Sequence, residues 1–229
     1  MIRARALKLL LALALACLLM LTAARLLLSH EFLRIEYRRP GFPADSYGFN
    51  ADARLLYGRK AIDYLFNDEP IAFLGELRLP ISLCFLPPAA AEDCPLFNQA
   101  ELRHMKDVKQ VAQFAFALAA VCAAAIAVGL WLDWRAGLAG LQLGAWLTLL
   151  VVGGLGTVAL AAWDSAFDRF HDVFFAAGTW RFPHSDTLIR LFPEQIFVDA
   201  ALLIAAFCAV GACLVLALCR WALPTRGGI

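Results

Sequence analysis

The sequence predicts an all-α polytopic membrane protein, with four transmembrane helices, both termini cytoplasmic, and two extracytoplasmic helical segments forming a cap or interfacial layer. Three observations point there. Hydrophobic residues make up 62% of the chain against 17% charged, and the mean hydropathy of +0.71 lies far from the balance of a soluble domain. Charge-poor apolar runs at about 9–28, 110–132, 136–162 and 200–219 each approach or exceed the roughly 20 helical residues that cross a bilayer. Basic residues of the short flanks (Arg3, Arg5 and Lys8, then Arg135, then Arg220 and Arg226) share one side of those spans, which the positive-inside rule makes the cytoplasm.

The net charge of +1 argues for neither a nucleic-acid nor an acidic partner, and the chain carries no P-loop or dinucleotide fingerprint. We read 1–229 as a single membrane domain: first span 7–28, extracytoplasmic loop 29–109, second span 110–132, third span 136–162, interfacial segment 163–199 and fourth span 200–219. The first span could be taken for a signal peptide, since Ala14-Leu15-Ala16-Cys17 resembles a weak lipoprotein cleavage box. The apolar run continues past Cys17 to Leu28, however, which is long enough to span.

In the first outer loop Pro40 and Pro43 stop any extension of the first span, and a helix follows at about 50–66. Asn50 can cap it, with Asp52 in its first turn. Leu55, Leu56, Ile62, Leu65 and Phe66 recur at helical spacing and form a packing face. The loop is rich in Lys and Arg, but at about 80 residues it exceeds the length over which the positive-inside rule counts. Cys84 and Cys94 bracket a proline-containing bend on the oxidising side, so a structural disulfide is expected. Cys17, Cys122, Cys208, Cys213 and Cys219 lie within spans, where cysteine serves as a small apolar residue.

A helix restarts at Asn98, a cap residue with Glu101 three positions on, and runs into the second span. Glu101, His104 and Asp107 are spaced by three and are neighbours on its surface, an arrangement that can orient an imidazole and favour its protonated form. The competing reading is a solvated charged turn. On the third span, Gly140-x-x-x-Gly144 permits close helix packing.

In the second outer segment Asp164, Asp168 and His171 fall at i, i+4 and i+7 on one helical stripe, among Phe167, Phe170, Phe174 and Phe175. This helix is expected to lie in the membrane interface. Trp163 and Trp180 read either as belt anchors or as neighbours of that stripe, whereas charge set among phenylalanines near lipid is costly and points to function. His30 and His184 lack a matching carboxylate stripe and read as ordinary interfacial histidines.

The run Phe97-Asn98-Gln99-Ala100-Glu101-Leu102-Arg103-His104-Met105-Lys106-Asp107-Val108-Lys109, leading into a span, resembles a motif of the lipoprotein intramolecular transacylase family. So does Phe170-His171-Asp172-Val173-Phe174-Phe175, followed by Trp180-Arg181-Phe182-Pro183, Leu188-Ile189, Phe192-Pro193-Glu194 and Phe197. The resemblance covers about 97–199 through its motifs and the N-terminal third through its architecture. It implies an acyltransferase that moves the sn-2 acyl chain of a diacylglyceryl-modified N-terminal cysteine to that cysteine's own α-amine, giving a lyso-form lipoprotein. The implied setting is the bacterial cytoplasmic membrane with an extracytoplasmic active site. Partners would be the lipoprotein substrate and membrane lipids, with no obligate protein partner.

The residue chemistry fits that reaction, because an amine must lose a proton and a leaving glyceryl oxygen must gain one, both tasks for imidazole. With nucleophile and ester in one molecule, proximity is supplied by the substrate and no covalent acyl-enzyme is expected. No Gly-x-Ser-x-Gly elbow occurs. His104 and His171 are therefore the catalytic pair, in an order left open, with Glu101, Asp107, Asp168, Asp164 and Trp180 supporting them. Arg181 and Arg103 are candidate oxyanion or substrate contacts, or else snorkelling interfacial arginines. Asp199 is either a polar contact of the site or a boundary marker. No cofactor and no metal is expected. The alternatives are a thiol-disulfide oxidoreductase using the outer cysteine pair, which lacks a Cys-x-x-Cys motif, a His/Asp metal site, which lacks a His-x-x-x-His pairing, and a non-catalytic membrane sensor or assembly protein.

Overall fold

The computed structural model describes residues 2–84 and 94–222. Among them the chain is helical, with α1 (Ile2–Leu27), α2 (His30–Arg38), α3 (Ala51–Phe66), α4 (Ala72–Gly75), a 3-10 turn (Ile81–Leu83), α5 (Gln99–Leu132), α6 (Trp134–Ala161), α7 (Trp163–Phe174), α8 (Thr187–Leu191) and α9 (Glu194–Ala222). Four of these helices are long and apolar enough to cross a membrane: Ala4–Leu27, Gln99–Leu132, Trp134–Ala161 and Glu194–Ala222. They match the four apolar runs read from the sequence, the first and third helices ending one residue before their runs do and the second and fourth starting earlier, at Gln99 and Glu194. Arg226 and the bend between the two loop cysteines lie outside the described residues.

The helix limits have local causes. Ser29 adopts an extended backbone and its side chain accepts from the Phe32 N–H, so α2 starts as a separate helix within three residues of the end of α1. That element was not expected, because only the prolines at 40 and 43 had been read as helix stops. Asn50 caps α3 as anticipated, accepting from the Ala53 N–H. Asp133 does the same for α6 through the Ala136 N–H, which turns the chain sharply between the second and third spans.

The chain forms two compact units. The first holds residues 2–27, 115–166 and 200–222. Its tightest seam is between α1 and α6, where small residues let the backbones approach. A Cβ added to Gly144 would sit 2.7 Å from the Ala12 carbonyl oxygen, and one on Gly140 would sit 3.0 Å from that of Lys8. Leu15, Ala145 and Ala212 are buried together at the centre. Large apolar side chains such as Leu13, Leu150, Leu160, Val210 and Leu218 point outward, the inverse of a soluble bundle and the pattern that lipid contact requires. Trp131, Trp134 and Trp221 are exposed at the α5–α6 turn and the end of α9, as tryptophan at a membrane–water boundary is.

The second unit holds residues 28–84, 94–114 and 167–199. The first turns of α5, including residues 99–109, belong to it; a 34-residue helix is about 51 Å long, well beyond the roughly 30 Å hydrocarbon core, so this polar start lies outside the spanning segment. Long-range polar contacts pin the unit. The Tyr37 hydroxyl donates to the Leu191 carbonyl at 2.7 Å and Arg54 Nε donates to the Arg190 carbonyl at 2.9 Å. The tyrosine packs so closely on α3 that a Cβ on Gly58 would come within 2.9 Å of its hydroxyl. Arg190 is itself buried, donating to Asp45 at 3.2 Å and lying over the Phe49 ring at 3.6 Å. Cys84 and Cys94 form the expected disulfide, with Cα atoms 6.0 Å apart, next to an isolated bridge pairing Arg78 with Pro95.

Candidate active site

The site assembles in the second unit from the start of α5, the C-terminal half of α7 and the segment that follows α7. The start of α5 is fixed by a reciprocal cap: Asn98 Oδ1 accepts from the Glu101 N–H at 3.0 Å, and Glu101 Oε2 accepts from the Asn98 N–H at 2.7 Å. One turn on, His104 is turned inward and is 7% exposed. Its ring meets Phe175 edge-on at 4.7 Å and Phe182 at 5.5 Å, and its Nδ1 is buried without a hydrogen-bond partner.

His171, on α7, is 8% exposed. Its Nδ1 lies 2.8 Å from the carbonyl of Phe167, one turn earlier on the same helix, and the ring packs on Phe167 at 4.1 Å. The Trp180 indole stacks on it at 4.7 Å with an interplanar angle of 29°, and Phe175 lies 5.8 Å away. Phe175 thus touches both imidazoles, and the two catalytic candidates of the sequence share one aromatic enclosure.

Burial sets the protonation of this enclosure. It lowers the His104 pKa to about 4, with the nearby His171 acting in the same direction and the Asp107 carboxylate opposing it. Burial also lowers the pKa of His171, against the Phe167 hydrogen bond and the charges of Asp168 and Asp172. Both rings are therefore neutral near pH 7, with at least one basic nitrogen each, rather than held as imidazolium by their carboxylate neighbours.

The supporting carboxylates have other duties than those read from spacing. Glu101 does not orient His104: besides Asn98 it accepts the Leu188 N–H at 2.6 Å, and burial raises its pKa to about 7. Asp168 pairs with Arg181 at 2.7 Å and reaches His171 only as a nearby charge. Arg181 lies over the Trp180 ring at 4.8 Å and is occupied as an ion-pair partner. Asp107 acts on His104 through its charge alone. Asp164 and Arg103 are exposed. Trp180 is buried in the enclosure and is no belt anchor. Asp199 accepts from Arg39 and, at 3.0 Å, from Gln195; its charge and burial together raise the pKa of the buried Glu36 carboxyl, burial being the larger cause.

One histidine expected to be unpaired is not: His30 Nε2 lies 2.7 Å from Asp63, a partner 33 residues away that no local stripe could reveal. His184 is exposed. Residues missed by spacing are Phe182, which closes over His104, and Asp172, which accepts the Trp180 indole N–H at 3.2 Å. The Phe167 carbonyl was missed too, although its i, i−4 relation to His171 was available from the helix. Among the described residues no group of three histidine, cysteine or acidic side chains is placed to hold a metal ion.

A family model for the lipoprotein intramolecular transacylase Lit matches residues 8–197. The chain is 27% identical over 186 residues to an uncharacterized protein of Aquifex aeolicus (strain VF5), covering 80% of this chain and 79% of that one. The membrane-integral lipoprotein intramolecular transacylase Lit of Bacillus cereus, determined in meso, shares the fold with a TM-score of 0.75 at 20% identity over 96% of this chain and 95% of its own. Two forms of that protein with one histidine replaced, by arginine or by alanine, superpose with a TM-score of 0.70 at 20% identity, covering 96% of this chain and 91% and 93% of theirs.

Proposed function

The chain belongs to the lipoprotein intramolecular transacylase family, and from that premise we propose that it moves the sn-2 acyl chain of a diacylglyceryl-modified N-terminal cysteine onto the α-amine of the same cysteine. It is an acyltransferase of the membrane, and its substrate is a lipoprotein. The observation that carries the catalytic assignment is the shared enclosure: His104 and His171, from α5 and α7, are both buried and both touch Phe175.

The Phe167 carbonyl can only accept, so the His171 Nδ1 carries hydrogen and its Nε2 offers the lone pair. We assign His171 as the base. As the amine nitrogen attacks the ester carbonyl carbon, Nε2 takes a proton from that nitrogen. The neutral His104 ring donates its N–H proton to the glyceryl oxygen as the carbon–oxygen bond breaks, and the proton held by His171 restores it. One amide and one hydroxyl replace one ester and one amine, with a net transfer of one proton from nitrogen to oxygen. Dry aromatic walls strengthen each of these hydrogen bonds. The positive-inside pattern of Arg5, Lys8, Arg135 and Arg220 supports a site on the outer side of the bacterial cytoplasmic membrane.

The test is mass spectrometry of the N-terminal lipopeptide after the purified protein meets a diacylglyceryl lipoprotein, beside His104→Ala and His171→Ala. Because the acyl shift leaves total mass unchanged, fragmentation must locate the chain. An N-acylated, monoacylglyceryl product made by wild type and absent with both variants supports the reading. Full product from either variant removes that histidine from the mechanism.

A further inference from the structure

Two carboxylates one turn apart on α7 each hold one residue of the dipeptide Trp180-Arg181. Asp172 accepts the indole N–H at 3.2 Å, and Asp168 accepts from the guanidinium at 2.7 Å. The Trp180 indole thus contacts both the imidazole of His171, at 4.7 Å, and the guanidinium of Arg181, at 4.8 Å. An exposed aspartate on an interfacial helix is ordinarily a solvated face, and Asp172 is exposed. Its partner, however, is the polar edge of a side chain only 7% exposed, and an indole that is buried against another ring needs an acceptor for its N–H.

We propose that Asp172 is a positioning residue for the transacylation: it holds the Trp180 indole flat on His171, so that the positive charge formed when His171 takes the amine proton lies against a π face. This rests on the assignment of His171 as the base. Indole is the strongest of the aromatic faces for a cation, and accepting its N–H proton in a hydrogen bond enriches the ring. The Arg181 guanidinium also lies over the indole, 4.8 Å from its centroid, and its charge is balanced by Asp168, so the indole does not carry a bare cation beside the imidazolium. The stabilisation exists only while His171 is charged, which makes it specific to the transition state and the intermediate rather than to the resting enzyme. Charged and titratable groups around His171 are Asp168, Asp172 and Arg181 from its own side and His104 from α5.

The test compares Asp172→Ala, Asp172→Asn and Trp180→Phe in the full-length protein in micelles, using kcat, KM and the NMR titration of the 15N-labelled His171 ring. Asn retains an acceptor for the indole, and Phe retains a face without needing one. The Asp172 charge itself raises the His171 pKa, so both Asp172 variants lower it. The expected result is a titration about half a pH unit lower still in Asp172→Ala than in Asp172→Asn, and a kcat roughly tenfold lower for Asp172→Ala, with KM within about twofold, that Asp172→Asn largely recovers. Equal His171 titrations in Asp172→Ala and Asp172→Asn overturn the proposal, whether kcat falls or not, because loss of the Asp172 charge alone lowers both alike. If Asp172→Ala does not fold, Trp180→Phe decides it, because it removes the indole and keeps the Asp172 charge: a lowered His171 titration is expected, and one identical to wild type would overturn the proposal. The NMR readout needs no turnover, so it stands apart from the base assignment, which fails separately if His171→Ala keeps full activity.

Discussion

The Glu101 carboxylate accepts the backbone N–H of Leu188 at 2.6 Å, joining the first turn of α5 to α8 across 87 positions of sequence. It does so in a setting where burial outweighs its two backbone hydrogen bonds and raises its pKa from 4.5 to about 7. A raised carboxyl favours the fold when protonated, so its contribution is complete below pH 4.5 and is lost as pH rises through 7. The size is roughly 3 kcal/mol by linkage. Thermal unfolding in detergent should show this slope between pH 4.5 and 7, and Glu101→Gln should flatten it. An unchanged slope in that variant removes Glu101 as its source.

The histidines carry the opposite sign. Burial lowers the pKa of His104 to about 4, so the stability due to its neutral form is complete above pH 6.5 and is lost as pH falls through 4. The two proposed catalytic rings are then already neutral near pH 7, and the acid limb of kcat/KM should report the substrate's α-ammonium group, at about 7.7 to 8. Measured profiles with two substrates of different amine pKa should shift with the amine. A limb that stays fixed for both would point back to an enzyme group.

Arg190 and Asp45 form an ion pair whose two side chains are almost fully buried. Removing one member of such a pair leaves an uncompensated charge, which costs about 3–5 kcal/mol. Asp45→Ala should therefore lower the unfolding midpoint steeply and release the Tyr47–Phe49 stretch that packs on the guanidinium. Hydrogen exchange over residues 43–50 and 186–191 reads this directly; unaltered protection in a folded variant would contradict it.

Gly144 lies 2.7 Å, at the position of an added Cβ, from the backbone oxygen of Ala12, whereas Gly153 has nothing within 4 Å. A methyl group at 144 must push two helices apart, at about 1–3 kcal/mol. Gly144→Ala should destabilise the protein in micelles while Gly153→Ala changes little. Equal effects would mean that the seam yields more easily than its geometry implies.

The Cys84–Cys94 bond closes a loop of 10 positions and should contribute about 2–3 kcal/mol by restricting the unfolded chain. A Cys84→Ser, Cys94→Ser double variant is expected to melt earlier and keep its acyl transfer. Loss of transfer in a well-folded double variant would give the disulfide a chemical part.

What was legible in the sequence was whatever depends on neighbours along the helix. The four spans, the Asn50 and Asn98 caps, the Gly140–Gly144 approach and the cysteine pair all follow from composition or from spacings of ten residues or fewer. Both buried histidines were also singled out, because each stands at a helical position among charges at the edge of an apolar run. The duties of the carboxylates were not legible. Spacing put Glu101 beside His104 and Asp168 beside His171, but a carboxylate binds whichever donors the tertiary fold delivers, here the Leu188 N–H and the Arg181 guanidinium. The His30–Asp63 pair and the Arg190 cluster were hidden for the same reason.

The second unit is written discontinuously in the chain: residues 28–114 are followed by a long apolar stretch before 167–199 returns to complete it. Tyr37 waits for Leu191, Arg54 for Arg190 and Glu101 for Leu188, across 154, 136 and 87 positions. During synthesis the N-terminal part of this unit therefore stands with buried-type donors and acceptors unmatched until α8 has been translated. Ribosomes stalled before residue 186 should display a protease-sensitive, inactive nascent chain, and protection should arrive abruptly once the segment through Leu191 is delivered. The order of assembly thus withholds a working enclosure from every incomplete chain.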